Sequence, residues 1–237
     1  MIRHIDVRGR RAAGERLDFR ALVPRAELDV DSAIEQVRPI CEAVRLHGHD
    51  ELVRQAARFD GVEITSVRVP EGALQDALDA LAPDLRASLE ESVTRLRTTC
   101  ENELPSDVTT EVTTGGSVSQ RNVAVERVGL YVPAAKAPLI SSVLMNVVPA
   151  QVAGVRSLAL ASPAQREYAG LPHPSILAAC ALLGVNEVYA AGGAGAIAMF
   201  AYGYERPDQP EQGCRPVDQV TGPANIFGVA AKRLLRG

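Results

Sequence analysis

The chain contains no tryptophan, and aromatic residues of all kinds make up only 4% of its 237 residues. Proteins that hold single-stranded nucleic acid stack its bases on aromatic side chains, so few such platforms are present here. The formal net charge is −4, and acidic and basic residues are interspersed along the chain. Binding to a nucleic-acid backbone needs a concentration of positive charge instead. We therefore expect no nucleic-acid partner.

Paired cysteines and long apolar runs are also missing. The four cysteines, Cys41, Cys100, Cys180 and Cys214, are widely spaced, and no Cys-x-x-Cys motif occurs. We expect them to be reduced and mostly buried thiols. No segment reaches the roughly 18 consecutive apolar residues of a membrane span, and the charged N-terminus lacks the apolar core of a signal peptide. The sequence thus predicts a cytoplasmic protein without a membrane partner.

Residues 1–104 are predicted to form a helical N-terminal region. Apolar residues recur at helical spacing from about residue 31 until Gly48, which is expected to end that helix, and a second helix is predicted from about 50 to 58. Residues 63–70 are rich in β-branched side chains and predict a short strand. Helical spacing returns over residues 71–100.

The composition changes near Pro105, where valine and threonine become frequent around Gly115 and Gly116. This stretch predicts a β-hairpin that leads into a strand over residues 127–132. This strand opens the first of four units, each with a short apolar strand and a helix of about ten residues. Such alternation requires parallel strands that are covered by helices on both faces. The predicted fold class is α/β: a Rossmann-like doubly wound parallel sheet in a domain over residues 105–237, preceded by the helical N-terminal region, with the hairpin leading into the sheet.

In a sheet of this kind, ligands bind at the carboxyl ends of the strands, where the following loops converge. Three loops are informative, residues 132–138, 192–196 and 221–225. The last two contain glycines and open helices, so their free N–H groups and the helix dipoles are suited to hold a phosphate. Glycines are also common at such turns simply because strand and helix pack closely there, and GGAGA lacks the full spacing of a dinucleotide fingerprint. The residues alone leave both interpretations open.

Four segments in the second half of the chain resemble, in order, the consecutive motifs of the histidinol dehydrogenases: RVGLYVP, SSVLMNVVPAQVAGV, VYAAGGAGAIAMFAYG and VTGPANIFGVAAKRL. The N-terminal segment VRLHGHDELVRQAARFDGV is similar to that family as well. The resemblance implies oxidation of L-histidinol through the aldehyde to L-histidine, with two molecules of NAD and a zinc ion. It also implies that residues near 127–236 form one Rossmann-like domain inserted into a second domain, of which the preceding residues are the first portion.

Position by position, the resemblance assigns dinucleotide contacts to Tyr131 and Asn225, and Gly193, Gly195 and Gly222 fall in the cofactor-binding loops. A tyrosine at a strand end can pack on a cofactor ring or bond through its hydroxyl. The alternative for Tyr131 is a half-buried strand aromatic, and the alternative for Asn225 is a helix cap.

Three loops depart from the family pattern. Ala134 and Ala135 stand where the family has paired glycines, Gly195 where it has a glutamine, and Ala224 where it has a glycine. Each added methyl group restricts the backbone and fills space, whereas Gly195 removes an amide side chain. These changes predict a weakened or altered dinucleotide site. The first of these loops supplies the pocket residues Pro133, Ala134, Ala135 and Lys136.

The family's Glu-His acid/base pair and its zinc ligands belong to sequence beyond the position of Gly237. The four histidines, His4, His47, His49 and His173, form no metal-binding pattern by spacing. No catalytic residue and no metal ligand are therefore assigned. Removing a hydride from an alcohol needs a base or a metal to take up or acidify the hydroxyl proton. The sequence predicts a truncated histidinol dehydrogenase-like protein that does not catalyse the family reaction alone.

Two hypotheses for the function remain from the sequence. In the first, the chain belongs to an NAD-dependent oxidoreductase and is either inactive alone or completed by a complementing chain. In the second, the scaffold is repurposed, and its remodelled pocket, with Lys136 beside it, binds or transforms another small molecule without hydride transfer. A partial first domain should also expose apolar helix faces, which predicts a homodimer that buries the helical region containing Leu74, Leu78, Leu81, Leu89, Val93 and Leu96.

Overall fold

The computed structural model describes residues 4–14, 16–18, 22, 29–134 and 137–236. The helices of the N-terminal region are α1 (Arg8–Ala12), α2 (Val30–Gln55), α3 (Glu71–Asp79) and α4 (Pro83–Glu103), and a π-helical turn, Ala56–Asp60, follows α2. The later elements are β1 (Val108–Thr113), β2 (Gly116–Gln120), β3 (Arg127–Tyr131), α5 (Ile140–Val152), β4 (Ser157–Ser162), α6 (Pro174–Leu182), β5 (Val188–Ala190), α7 (Gly193–Tyr202), β6 (Gln219–Thr221) and α8 (Ile226–Leu234). No helix in the described part of the chain is long and apolar enough to cross a membrane.

Helix α2 is broken at Gly48, as its sequence predicts. The backbone there has φ 50° and ψ −124°, so the helix kinks and then resumes in a new direction. A Cβ atom at this position would lie 2.9 Å from the Cβ of Tyr204, which also explains why a glycine is needed. The predicted second helix is confirmed as well, although its last turn is a π-helix that ends at Gly61, in the left-handed conformation.

The strand predicted over residues 63–70 is not formed. Only Arg68 makes a β-bridge, antiparallel to Tyr189 of β5, with flanking hydrogen bonds from Val69 N to Val188 O and from Ala190 N to Val67 O. The prediction was wrong because β-branched residues suit an extended chain at a sheet edge as well as a full strand. The segment covers the β5 edge, where an open strand would otherwise invite pairing.

The sheet is the predicted parallel one, with strand order β5-β4-β3-β6. Strands β1 and β2 form the predicted antiparallel hairpin apart from it. Side chains of successive strand residues point to opposite faces, so each strand supplies two cores. Leu130, Leu160 and Val188 belong to one core, whereas Ala159 and Tyr189 belong to the other. The α/β fold class is thereby confirmed.

The helices of the N-terminal region pack on both faces of this sheet layer. Helix α3 packs against α6, and α4 packs against α5, on one face; α2 packs against α7 and α8 on the other. The apolar positions expected to be exposed are therefore covered within the chain, with Leu74, Leu78 and Leu89 buried and Leu81, Val93 and Leu96 packed against the same core. The homodimer stays a prediction, but these side chains no longer require it.

Burial extends to most of the thiols. Cys41, Cys180 and Cys214 are buried, Cys100 is partly exposed, and all four are free thiols, as expected. Burial in apolar surroundings raises the pKa of Cys41 and of Cys214 to about 11. These thiols are therefore protonated at neutral pH and poor nucleophiles.

Candidate functional site

A cleft of about 690 Å³ lies at the carboxyl edge of the sheet. One wall is helix α2 with the following π-helical turn, and the other is formed by the end of β3 and the first turns of α7 and α8. The location is the one that a doubly wound sheet predicts for a ligand. The second wall comes from the three loops singled out in the sequence, whereas the first comes from a helix of the N-terminal region.

Tyr131 lies where strand β3 meets the cleft. It is the last residue of β3 and only 5% exposed, and its hydroxyl oxygen accepts a hydrogen bond of 3.0 Å from the backbone N–H of Gly193. Burial raises the pKa of this phenol, so the hydroxyl stays protonated at neutral pH and keeps its own hydrogen to donate. Tyr131 is thus both a buried strand aromatic and a member of the cleft lining.

The glycines at the start of α7 form the adjoining part of the cleft. Gly193 has φ +56°, a left-handed conformation that glycine adopts without strain. Gly195, two residues further on, lies against the side chain of Gln55 from α2. Gly192, Gly193 and Gly195 all line the cleft, so the backbone of this helix start is accessible to a ligand. The first N–H groups of a helix have no partner within the helix and carry partial positive charge.

Asn225 lines the same cleft and caps α8. Its side-chain Oδ1 accepts hydrogen bonds of 3.1 Å from the backbone N–H groups of Phe227 and Gly228. The capping interpretation is therefore correct, and it leaves the side-chain amino group as the part directed to other partners. Phe227, beside it in the lining, is 43% exposed and offers an apolar ring.

Gly222 supports the cleft without lining it. Its φ is +111°, and a Cβ atom there would lie 2.0 Å from the backbone oxygen of Tyr131. The glycine therefore lets the loop after β6 cross close to β3. Its carbonyl oxygen accepts a hydrogen bond of 2.6 Å from Nζ of Lys232.

The remaining sequence-predicted residues fall in three classes. Pro133 and Ala134 line the cleft. Ala135 and Lys136 lie outside the described residues. Ala224 packs on α8 instead of lining the cleft, since a Cβ atom at Gly228 would lie 2.6 Å from the Ala224 methyl group. The changed loops at Ala134 and Gly195 therefore bear directly on the cleft, and the change at Ala224 does not.

Asp60 is a polar residue of the cleft that the sequence did not identify. It ends the π-helical turn, and its Oδ1 would lie 3.5 Å from a Cβ atom placed on Gly192. Burial raises the pKa of its carboxyl group to about 6, and the negative charge in turn raises the pKa of Tyr131. No cation pairs with this carboxylate in the described part of the chain. The cleft therefore contains a hydrogen-bond acceptor with variable charge close to neutral pH.

The family profile described as histidinol dehydrogenase matches residues 23–237. The chain belongs to the histidinol dehydrogenase family. The histidinol dehydrogenases of Streptomyces avermitilis and Thermobifida fusca are each 56% identical to it over all 237 residues. A crystal structure of histidinol dehydrogenase from Elizabethkingia anophelis has 25% identity and a TM-score of 0.78 over 90% of the chain.

The chain spans about half the length of these family members. It covers 52% of the Streptomyces protein, 51% of the Thermobifida protein and 46% of the Elizabethkingia chain. The family resemblance inferred from the motifs is thereby confirmed, and the match corresponds to the N-terminal half. The expected activity of whole family members does not follow from this half alone.

The zinc ion that the family resemblance implies finds no fitting residues among those that the structure describes. No group of three or more histidine, cysteine, aspartate or glutamate side chains lies close enough there to hold a metal ion. Two of the histidines have structural partners instead. His49 Nε2 lies 2.8 Å from Arg206 Nη1, and His173 Nδ1 accepts a hydrogen bond from Ser175 N at the start of α6.

Sequence reasoning also missed Gln55, because both Gln55 and Asp60 reach the cleft through the packing of α2 against the sheet domain. The segment RFDG, within the stretch that resembles the histidinol dehydrogenases, was the available signal for Asp60. A carboxylate just before a turn glycine is ordinarily a solvated loop residue, so the segment alone gave no reason to assign a role.

Proposed function

We propose that the cleft binds NAD and that this chain is the dinucleotide-binding half of a histidinol dehydrogenase-type oxidoreductase of histidine biosynthesis. The observation that carries the proposal is the convergence of Tyr131 with the starts of α7 and α8 on one cleft, in a chain of this family. The residues fit such a ligand, since Gly192, Gly193 and Gly195 line the cleft at the start of α7, where the first N–H groups of a helix have no partner within the helix.

Each part of the wall formed by β3, α7 and α8 has a distinct role in this binding. The first turn of α7 holds a phosphate through backbone N–H groups. The Tyr131 hydroxyl donates its hydrogen to the ligand while it accepts from Gly193 N. Phe227 and Pro133 supply apolar surface for a ring. Bound NAD supplies the hydride acceptor for oxidation of an alcohol.

We propose further that the chain does not oxidise L-histidinol alone. The described residues that line the cleft include Glu51 and Asp60 as carboxylates but no histidine, and they do not fit the zinc ion. The acid/base pair and zinc ligands implied by the family resemblance belong to the half of the relatives that this chain does not span. The second half of such an enzyme would supply them.

NAD binding is tested by isothermal titration calorimetry and by the shift in melting temperature. We expect saturable binding, and we expect Tyr131→Phe to weaken it about three- to tenfold through loss of one hydrogen bond. Val118→Ala, on the exposed hairpin, is the control and should bind like the original chain. The absence of heat and of any thermal shift at millimolar NAD would reject the proposal, and binding of a different small molecule alone would favour the repurposed scaffold.

The complementation is tested by following NADH absorbance with L-histidinol and zinc. The chain alone should produce no NADH. Activity should appear when the second half of the Streptomyces avermitilis histidinol dehydrogenase is added as a separate chain. Turnover by the present chain without that addition contradicts the second part of the proposal and leaves the first part intact.

A further inference from the structure

The cleft contains a pair of residues from two different walls, Gln55 and Gly195, that are fitted to one another. Gln55 is the last residue of α2, lines the cleft and is only 8% exposed. Its Nε2 donates to Glu51 Oε1 at 3.0 Å and, at a longer 3.4 Å, to the backbone oxygen of Ile40. These two acceptors fix which way the amide lies, because the amino group faces α2 and the carbonyl group faces away from it.

Gly195 receives the opposite end of that amide. A Cβ atom on Gly195 would lie 2.1 Å from Gln55 Oε1, 3.2 Å from its Cδ and 3.5 Å from Leu52 Cδ2. Even a methyl group at residue 195 is therefore incompatible with the observed position of Gln55. From the sequence, a glycine at residue 195 predicts that no amide group lies at this point of the cleft. In the structure, the side-chain amide of Gln55 occupies the space beside Gly195.

The Gln55 carbonyl oxygen has no donor of its own. Among the residues that the structure describes, none donates a hydrogen bond to Oε1, and this oxygen is not among the side-chain atoms that are shut off from solvent. It therefore faces the solvent of the cleft and is available as an acceptor. A ligand in the cleft with an O–H or N–H group would take the place of water there and donate to Oε1.

We propose that Gln55 is the hydrogen-bonding side chain on the α2 wall of the cleft, and that Gly195 is required because it leaves room for it. Gln55 Oε1 accepts a hydrogen bond from a neutral O–H or N–H donor of the ligand and so contributes to ligand specificity. The ligand assignment rests on the proposed dinucleotide function, whereas the fit of the pair does not.

The fit is tested without ligand by a double-mutant cycle on the melting temperature. Gly195→Ala should lower the melting temperature by about 3 °C or more. The same substitution in a Gln55→Ala background should have much less effect, because the colliding amide is gone. Gly72→Ala, in the first turn of α3 with no atom within 4 Å of the added Cβ, is the matched control and should not lower it. If the effects of Gln55→Ala and Gly195→Ala on the melting temperature are additive, the two residues are not fitted to one another and this part of the proposal is wrong.

The acceptor role is tested by calorimetric titration of the full chain with NAD. Gln55→Leu keeps the volume and removes the amide, so the dissociation constant should rise about three- to tenfold. Gly195→Ala should weaken binding similarly, since it displaces the amide. If Gln55→Leu binds NAD with unchanged affinity, the acceptor role is wrong, even when the melting-temperature effects of Gln55→Ala and Gly195→Ala are not additive. If the unsubstituted chain fails to bind NAD, the proposed function fails, and the melting-temperature cycle still decides whether the pair is fitted.

Titration with ADP-ribose, which lacks the nicotinamide ring, identifies the donor. If Gln55→Leu weakens NAD and ADP-ribose alike, the donor is a hydroxyl or amine of the ADP-ribose part. If only NAD is weakened, the donor is the carboxamide of nicotinamide. Either result supports an acceptor role for Gln55, and no loss for either ligand overturns it.

Discussion

Asp60 is the residue whose charge state is most altered by the fold. The end of the π-helical turn places its carboxyl group in the cleft beside Gly192, where burial raises its pKa to about 6 and its charge raises the pKa of Tyr131. In the unfolded chain the same group titrates near 3.9, the ordinary value for aspartate. The folded state therefore favours the protonated form, and the ionised form destabilises the fold.

The sign of this effect gives a pH-dependent prediction. The unfavourable contribution of Asp60 is fully present above about pH 6 and disappears as the pH falls below about 4. Asp60→Asn should therefore raise the free energy of unfolding by about 1–2 kcal/mol near neutral pH, a value reduced for partial solvent exposure, and by almost nothing near pH 4. Urea denaturation at a series of pH values measures the difference.

The control for this prediction is Asp76→Asn, on the exposed side of α3, which removes one negative charge away from the cleft. Its effect should not follow the same pH profile. A difference between Asp60→Asn and the original chain that is constant between about pH 4 and 7 would show that burial does not raise this pKa.

At the scale of elements, the helix starts do most to shape the cleft. Helix α7 begins with glycines and is met by the Tyr131 hydroxyl, whereas α8 begins with Asn225 as its own cap. Both helices point their N-terminal ends at the cleft, so their dipoles add there. Asn225 consequently has two separable tasks: its Oδ1 holds the helix, and its amino group is available to a ligand.

Two substitutions at Asn225 separate these tasks. Asn225→Ala should lower the free energy of unfolding by about 1 kcal/mol, because α8 loses its cap. Asn225→Asp keeps an acceptor for the N–H groups of Phe227 and Gly228, so stability should be retained, but the amino group is lost and NAD binding should weaken.

Thermal denaturation and NAD titration of the two variants provide the measurements. Full NAD affinity in Asn225→Asp would mean that the amino group makes no contact with the ligand. Equal stability of the alanine variant and the original chain would mean that the cap contributes nothing.

The element boundaries show how far local pattern determines structure. Apolar spacing predicted α2, its break at Gly48 and the alternation of strands and helices after Pro105, because these depend on residues close in sequence. Residues 63–70 were predicted as a strand, yet only one bridge forms. A strand needs a partner along its length, and that partner is chosen by tertiary packing.

At the scale of the whole molecule, the helical N-terminal region and the sheet domain share their hydrophobic cores. Leu74 and Leu89 from the N-terminal helices pack with Leu130 and Leu160 of the sheet, and Val37 and Val44 of α2 belong to the core on the other face. Neither region can expose its share of these cores to water without a large loss of apolar burial. The boundary at 104/105, proposed from composition, therefore divides the sequence but not the cores.

This sharing predicts cooperative unfolding. Heat or urea should unfold the chain in one transition, with coincident signals from circular dichroism and intrinsic tyrosine fluorescence. A fragment of residues 105–237 should lack a cooperative transition, because the helices that cover both sheet faces are missing. Differential scanning calorimetry of chain and fragment measures this. Two separate transitions in the chain, or a fragment with a sharp transition of its own, would show independent domains.

By itself, the sequence determined the α/β class, the order of most elements, the family and the loops in which Tyr131, Gly193 and Asn225 lie. The resemblance of four motifs indicated the family. Periodicity and turn glycines determine the other features, since both act between neighbours in the chain. Only the tertiary structure decided that α2 forms a wall of the cleft, that Gln55 fills the space beside Gly195, and that Asp60 is partly buried there. These residues are far from the sheet in sequence, and only the packing of shared cores brings them to its carboxyl edge.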